Sequence, residues 1–172
     1  AMILHSPQLF SMILVPPFPF KESLTREAAA FYLEPLIDMM DTPVLIVSAH
    51  AGDTFLAVAF SREGFEAQET VKSGVMGKHS KGGWSQKRFE RLREEDIKSH
   101  ADLVNEKLAE LMGKYGALLK YAVISGDDGL LRQISPGIGL PVVERRLERH
   151  DEHNIKALLD EVYGFVSYRI EL

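Results

Sequence analysis

The chain has 172 residues, 45% of them hydrophobic and 26% charged, with a formal net charge of −5, the balance of one globular domain with a real core rather than of a disordered or fibrous chain. The absence of cysteine excludes a disulfide framework and thiolate chemistry and fits a reducing compartment, the cytoplasm. No apolar run approaches the length of a bilayer span, so neither a membrane helix nor a membrane partner is expected.

The opening "AMILHSPQLFSMILVPPFPF" is apolar but lacks a basic start and is punctuated by His5 and four prolines, which makes it a poor signal peptide. The Ala1-Met2 start is compatible with a domain cut from a longer chain. "VPPFPF" is extended because each proline constrains itself and its predecessor. "SLTREAAAFYLEPLIDMMD" then has helical spacing behind a cap at Ser23 or Thr25, so residues 1–40 read as an extension and a helix. "PVLIVSAH", "TFLAVAFSR" and "GFEAQETV" form a three-stranded meander divided by turns. Residues 73–84, with Gly77, Gly82 and Gly83, form a loop. Behind a cap at Ser85, apolar residues from Phe89 to Met112 recur at helical intervals and predict one long helix over 85–112, ended near Gly113 and Gly116. "LLKYAVISGDD" is a buried strand, "GLLRQI" a short helix, "LPVVERRLE" a strand and "DEHNIKALLDEVYGF" a capped helix. This order predicts an α/β domain over 1–172, with a mixed, partly parallel sheet flanked by helices.

One segment departs from the overall charge. "KHSKGGWSQKRFERLR" carries six bases and one acid, Glu90, leaving 14 bases and 24 acids elsewhere, a separation that points to a polyanion met at one place. Two adjacent glycines admit close approach of a ligand or another backbone, and before a helix start they leave N–H groups suited to phosphate or an oxyanion. Lys87, Arg88 and Arg91 fall within a turn of one another, with Lys78 and Lys81 across the loop, a pattern able to contact successive phosphates. The bland alternative is a hairpin loop beside a solvated helix face, which would interleave acids at i,i+4 spacing. Here Glu94, Glu95 and Asp96 follow only after the basic run. Trp84 is either a packing residue or a platform for an unpaired base.

Other constellations are weaker. His150 and His153 in "HDEH" share a helical spacing that suits a metal, but no third ligand is evident and capping is the better reading. Asp127 and Asp128 follow a strand where α/β proteins often bind ligands, yet read better as a helix N-cap with favourable acidic placement. His50, His79 and His100 match no triad spacing, though a protonated His79 suits an RNA face.

"GGWSQKRFERLREEDIKSH" resembles the catalytic loop and following helix of the archaeal and eukaryotic class I translation release factors, in which a Gly-Gly-Gln triplet precedes Ser and a basic helix. Gly82, Gly83, Ser85, Arg88, Phe89, Arg91, Leu92 and Arg93 fall in register. The likeness is looser across Pro43 to Phe165 and absent from the first 40 residues. The position after Gly83 is Trp84, and a glutamine stands two residues later as Gln86, a shift similar to the subgroup related to the Vms-type ribosome quality-control factors, which release nascent chains from stalled large subunits.

The resemblance implies a middle-domain fold of RNase H-like type and hydrolysis of the ester that joins a nascent peptide to tRNA. It assigns Gln86, Gly82 and Gly83 to catalysis, and Lys78, Lys81, Trp84, Ser85, Lys87, Arg88 and Arg91 to RNA binding. Water attacks an already reactive ester, so no protein nucleophile, cofactor or metal is needed, and an uncharged amide can both donate and accept. The implied partners are the large ribosomal subunit, its RNA and peptidyl-tRNA, with no DNA. A chain of this length leaves no room for a stop-codon-reading domain, which favours rescue or quality control over termination. The rival readings are a non-catalytic RNA- or ribosome-binding module and, more remotely, RNA cleavage through His79 or a nearby Lys.

Overall fold

The structure, a computed structural model, describes residues 1–6, 10–27, 30–77, 86–148 and 155–170. In chain order the elements are β1 (Met2–Ser6), β2 (Phe10–Val15), α1 (Glu34–Ile37), β3 (Val44–His50), β4 (Asp53–Ala59), β5 (Ala67–Lys72), α2 (Gln86–Tyr115), β6 (Tyr121–Gly126), α3 (Asp128–Ile134), β7 (Val142–Glu144), α4 (Ile155–Tyr163) and β8 (Val166–Ile170). Their contacts divide the chain into two compact units, one of residues 1–42, 61–64 and 150–172, the other of 43–60 and 65–149.

The larger unit is built on a five-stranded sheet in the order β5-β4-β3-β6-β7. The expected meander is present: β3 pairs antiparallel with β4 and β4 with β5, while β6 joins β3 and β7 joins β6 in parallel. This is the mixed α/β sheet the element order predicts. Val44 to Ala49 of β3 are all buried, the continuous apolar run of a strand covered on both faces. Leu45, Val47 and Ala49 alternate onto the face that meets Ala101, Val104, Leu108, Leu111 and Tyr115 of α2 and Leu130, Leu131 and Ile134 of α3. The α2 residues recur at three- and four-residue steps, so they form one stripe along the helix. α2 runs three residues beyond the expected end, through Gly113, and a 3-10 turn opens at Gly116. β7 is shorter than "LPVVERRLE" suggests, because after Glu144 the chain leaves the ladder: Leu147 N–H donates to Ser125 Oγ at 3.0 Å.

The smaller unit holds an antiparallel sheet, β1-β2-β8, which the sequence reading did not anticipate. Leu158, Leu159, Val162 and Tyr163 of α4 are buried. Phe18 packs edge-on against Tyr163 at 5.7 Å between ring centres, and the Tyr163 hydroxyl donates to the Thr42 carbonyl at 2.7 Å. The helix expected from Ser23 to Asp41 is corrected to one α-helical turn, α1, followed by a 3-10 turn over Asp38–Asp41; residues 21–27 and 30–33 are not helical. Pro35 accounts for the difference. It stands in the first turn of α1, where its missing N–H is tolerated, whereas inside a longer helix it would break a hydrogen bond and clash with the preceding turn.

Candidate nucleic-acid interface

Of the residues the sequence singles out, Gln86, Lys87, Arg88 and Arg91 are described, whereas Lys78, His79, Lys81, Gly82, Gly83, Trp84 and Ser85, with the "HDEH" motif, lie outside the described residues. Gln86 opens α2, and every residue from Gln86 to Arg91 is exposed. The Gln86 side-chain amide donates to Glu90 Oε1, one turn along, at 2.9 Å. Among the described residues, the only acid of the basic stretch thus holds the glutamine rather than a cation.

The first turn of α2 contains no acid but two bases, Lys87 and Arg88. Peptide dipoles make a helix N-terminus positive, so cations there are unfavourable until an anion arrives. Neither Lys87 nor Arg88 has an ion-pair partner among the described residues. Arg91 differs: it pairs with Glu95 at 3.4 Å across an exposed i,i+4 step, a weak, screened contact that brings Arg91 closer to the solvated-face reading than its two neighbours.

The base of the loop is tied to the middle of α2. His100 is fully buried, with Nε2 2.9 Å from Thr54 Oγ1 of β4 and Nδ1 2.8 Å from Ser73 Oγ, just past β5. A neutral imidazole donates from one nitrogen and accepts at the other, so both hydroxyls are satisfied by one ring. Burial lowers the His100 pKa, and the nearby Asp53 carboxylate opposes that shift. Three residues on, Met76 N–H donates to Asp96 Oδ2 at 3.2 Å, and Met76 carbonyl oxygen accepts from Arg93 Nε at 3.0 Å. Residues 73–76 therefore run beside α2 toward its N-terminus, held by His100, Asp96 and Arg93 in turn. Arg93, counted in the basic stretch, faces inward as an anchor. His100, which spacing left without a role, is the buried end of the clamp; its place beside Ala101 and Val104 on the apolar stripe was the available signal.

The "SGDDG" reading is corrected in part. Asp127 makes no side-chain cap to α3; its Oδ2 accepts from Ala51 N–H at 3.0 Å, fastening the β3–β4 turn to the end of β6. Among the described residues, no helix is long and apolar enough to cross a membrane, and no group of three or more His, Asp or Glu side chains is arranged to hold a metal ion.

The family model described as "Actinobacteria/chloroflexi VLRF1 release factor" matches residues 42–152, a span that includes all five strands of the larger sheet, the loop, α2 and α3. No curated protein matches the chain. Among solved structures, a chain of a PilM-PilN type IV pilus biogenesis complex aligns with a TM-score of 0.41 and 12% identity over 93% of this chain, which spans 66% of that one.

Proposed function

Because the chain belongs to the Actinobacteria/chloroflexi VLRF1 release factor family, we propose that it is a peptidyl-tRNA ester hydrolase acting on ribosome-bound tRNA in rescue or quality control in the cytoplasm. Family membership supports a role in translation. The observation that carries the finer reading is the start of α2, where an exposed glutamine stands beside two cations that no described acid neutralises, at the end of a loop clamped at its base.

In this reading Lys87 and Arg88, with Lys78 and Lys81, contact RNA phosphates and seat the loop. Gly82 and Gly83 let the backbone approach the terminal ribose closely. Trp84 and Ser85 contact the surrounding RNA. The reaction is attack by water on the ester carbonyl: the C–O bond to the ribose breaks, the peptide leaves with a carboxyl group, and the proton ends on the ribose oxygen. Gln86 positions water and substrate. With its N–H given to Glu90, its Oε1 is left to accept from the attacking water. A loop N–H serves the oxyanion.

Release of labelled peptide from peptidyl-tRNA on isolated large subunits tests this reading. Wild type should release and Gln86→Ala should not, at matched occupancy. The second reading, a binding module without hydrolysis, draws on Trp84 standing where the class I release factors carry glutamine and on the Gln86 amide already being engaged. It predicts tight binding and no release by either protein.

A further inference from the structure

The larger unit has a second cationic feature, at the opposite edge of its sheet from the loop. A crevice of about 540 Å³ opens at the C-terminal ends of β6 and β7, with Ser125, Asp128, Arg132, Glu144, Arg145 and Arg146 in its wall. Its volume lies in the range of sites that enclose a small organic group, and is larger than a lone phosphate requires. Carboxyl ends of parallel strands are where α/β sheets leave such openings.

The floor and wall are fixed by the backbone. Gly126 has φ +126°, and a Cβ there would stand 1.8 Å from the Ala49 carbonyl oxygen, so the end of β6 lies flush against β3. Arg145 N–H donates to the Ile124 carbonyl at 3.0 Å, and Leu147 N–H to Ser125 Oγ at the same distance. These bonds hold the segment carrying Arg145 and Arg146 against the strand. Arg145 is half-buried, while Arg132 and Arg146 are exposed and form no ion pair among the described residues. Arg132 and Arg146 offer guanidinium donors for a phosphate, and the Asp128 and Glu144 carboxylates offer acceptors for ribose hydroxyls or base amino groups.

The sheet registers place this crevice and the loop at the same end. Lys72, the last residue of β5, pairs with Asp53; Asp53 pairs with His50 at the end of β3; Ala49 pairs with Gly126. β5 and β7 are four strand spacings apart, about 19 Å. One end of the sheet thus has the described base of the loop, residues 73–77, leaving one edge toward the start of α2, and the arginine crevice at the other.

We propose that the crevice is a second RNA-contact site, taking one unpaired nucleotide and its phosphate from the strand whose neighbouring part meets the loop. RNA as the partner rests on the functional reading above; the crevice as a contact rests on its own geometry.

The test measures binding of a short fluorescent single-stranded RNA across a salt series by wild type, Arg132→Ala/Arg146→Ala and Lys87→Ala/Arg88→Ala. Both crevice arginines are exposed, so truncation leaves the core intact, and Arg132→Lys/Arg146→Lys serves as the conservative control. The crevice pair should weaken binding about tenfold and reduce the salt slope by about 0.7, the value for one single-strand phosphate contact. The lysine pair should recover most of that slope. Wild-type affinity and slope in the crevice variant, with binding weakened in the Lys87/Arg88 variant, would overturn the crevice and leave the functional reading standing. No RNA binding by wild type would overturn the crevice proposal, while peptide release on large subunits would still decide the hydrolase reading separately.

Discussion

Gln86 and Glu90 face each other across one turn of α2, with the glutamine amide donating to the carboxylate at 2.9 Å. The contact fixes which end of the amide points away: the nitrogen is engaged and the oxygen is free to accept. Glu90 is the one acid among the bases from Lys87 to Arg93, and in the proposed reading it orients the residue that places water, which makes it a positioning residue rather than a catalytic one.

Glu90→Ala should lower the rate of peptide release about fivefold at saturating subunit concentration, the equivalent of one hydrogen bond with a net value of about 1 kcal/mol. Glu90→Gln keeps an acceptor at the same reach and should restore most of the rate. Equal loss in both variants would point to charge rather than orientation.

The bonds from Arg93 and Asp96 to Met76 predict a separation of stability from activity. Both are partly exposed contacts to a loop backbone, so Arg93→Ala/Asp96→Ala should cost only about 1–2 kcal/mol in urea unfolding. Peptide release should fall further than stability does, because the loop loses its fixed base. Hydrogen exchange at Met76 should speed up in this variant and stay slow at β3.

His100 predicts a pH dependence. Its folded pKa lies below the ordinary value because the ring is buried, so at acid pH the unfolded chain binds the proton more readily than the folded one. Stability is therefore complete above about pH 6.5 and declines as pH falls from there toward the depressed folded pKa. Urea midpoints measured between pH 7.5 and pH 5 should show this decline, and His100→Gln should flatten the part that His100 contributes.

Two glycines should respond in opposite directions to alanine. Gly126→Ala forces a Cβ onto the Ala49 backbone at a positive φ, a clash that neither strand can relieve, and should destabilise by more than about 3 kcal/mol. Gly113 lies inside α2 with nothing within 4 Å of an added Cβ, so Gly113→Ala should stabilise by about 1 kcal/mol. Thermal unfolding of the two variants beside wild type checks both.

Local signals account for what could be read without coordinates. β3, β4 and β6 are short apolar runs between turn residues, and α2 has a continuous apolar stripe; each is specified by residues within one element. Gln86, Lys87 and Arg88 were legible at a helix start for the same reason. The sheet of β1, β2 and β8 was not: β8, VSYRI, alternates apolar and polar residues but is only five residues long and exposed throughout, and its partner β2 lies at the other end of the chain. The helix expected before Asp41 failed on a single proline. The clamp depends on pairs separated by 17 to 46 residues, and nothing near Ser73 or Met76 announces their partners. Asp127 shows the same limit: its local context favours a cap, and a backbone N–H 76 positions earlier takes its carboxylate instead.

α2 also has a mechanical consequence. None of its residues from Gln86 to Asp96 is fully buried, and the stripe that meets the sheet begins only beyond them. Ahead of Arg93, the clamp residue nearest the helix start, the stretch from Gln86 to Leu92 extends about 10 Å at 1.5 Å per residue. Gln86 therefore stands that far ahead of the clamp. In the proposed reading, a target set back in a recess comes within reach of Gln86 only where the recess admits that length of helix. In that reading, depth of the recess becomes a means of selection, set by the length of α2 ahead of its clamp.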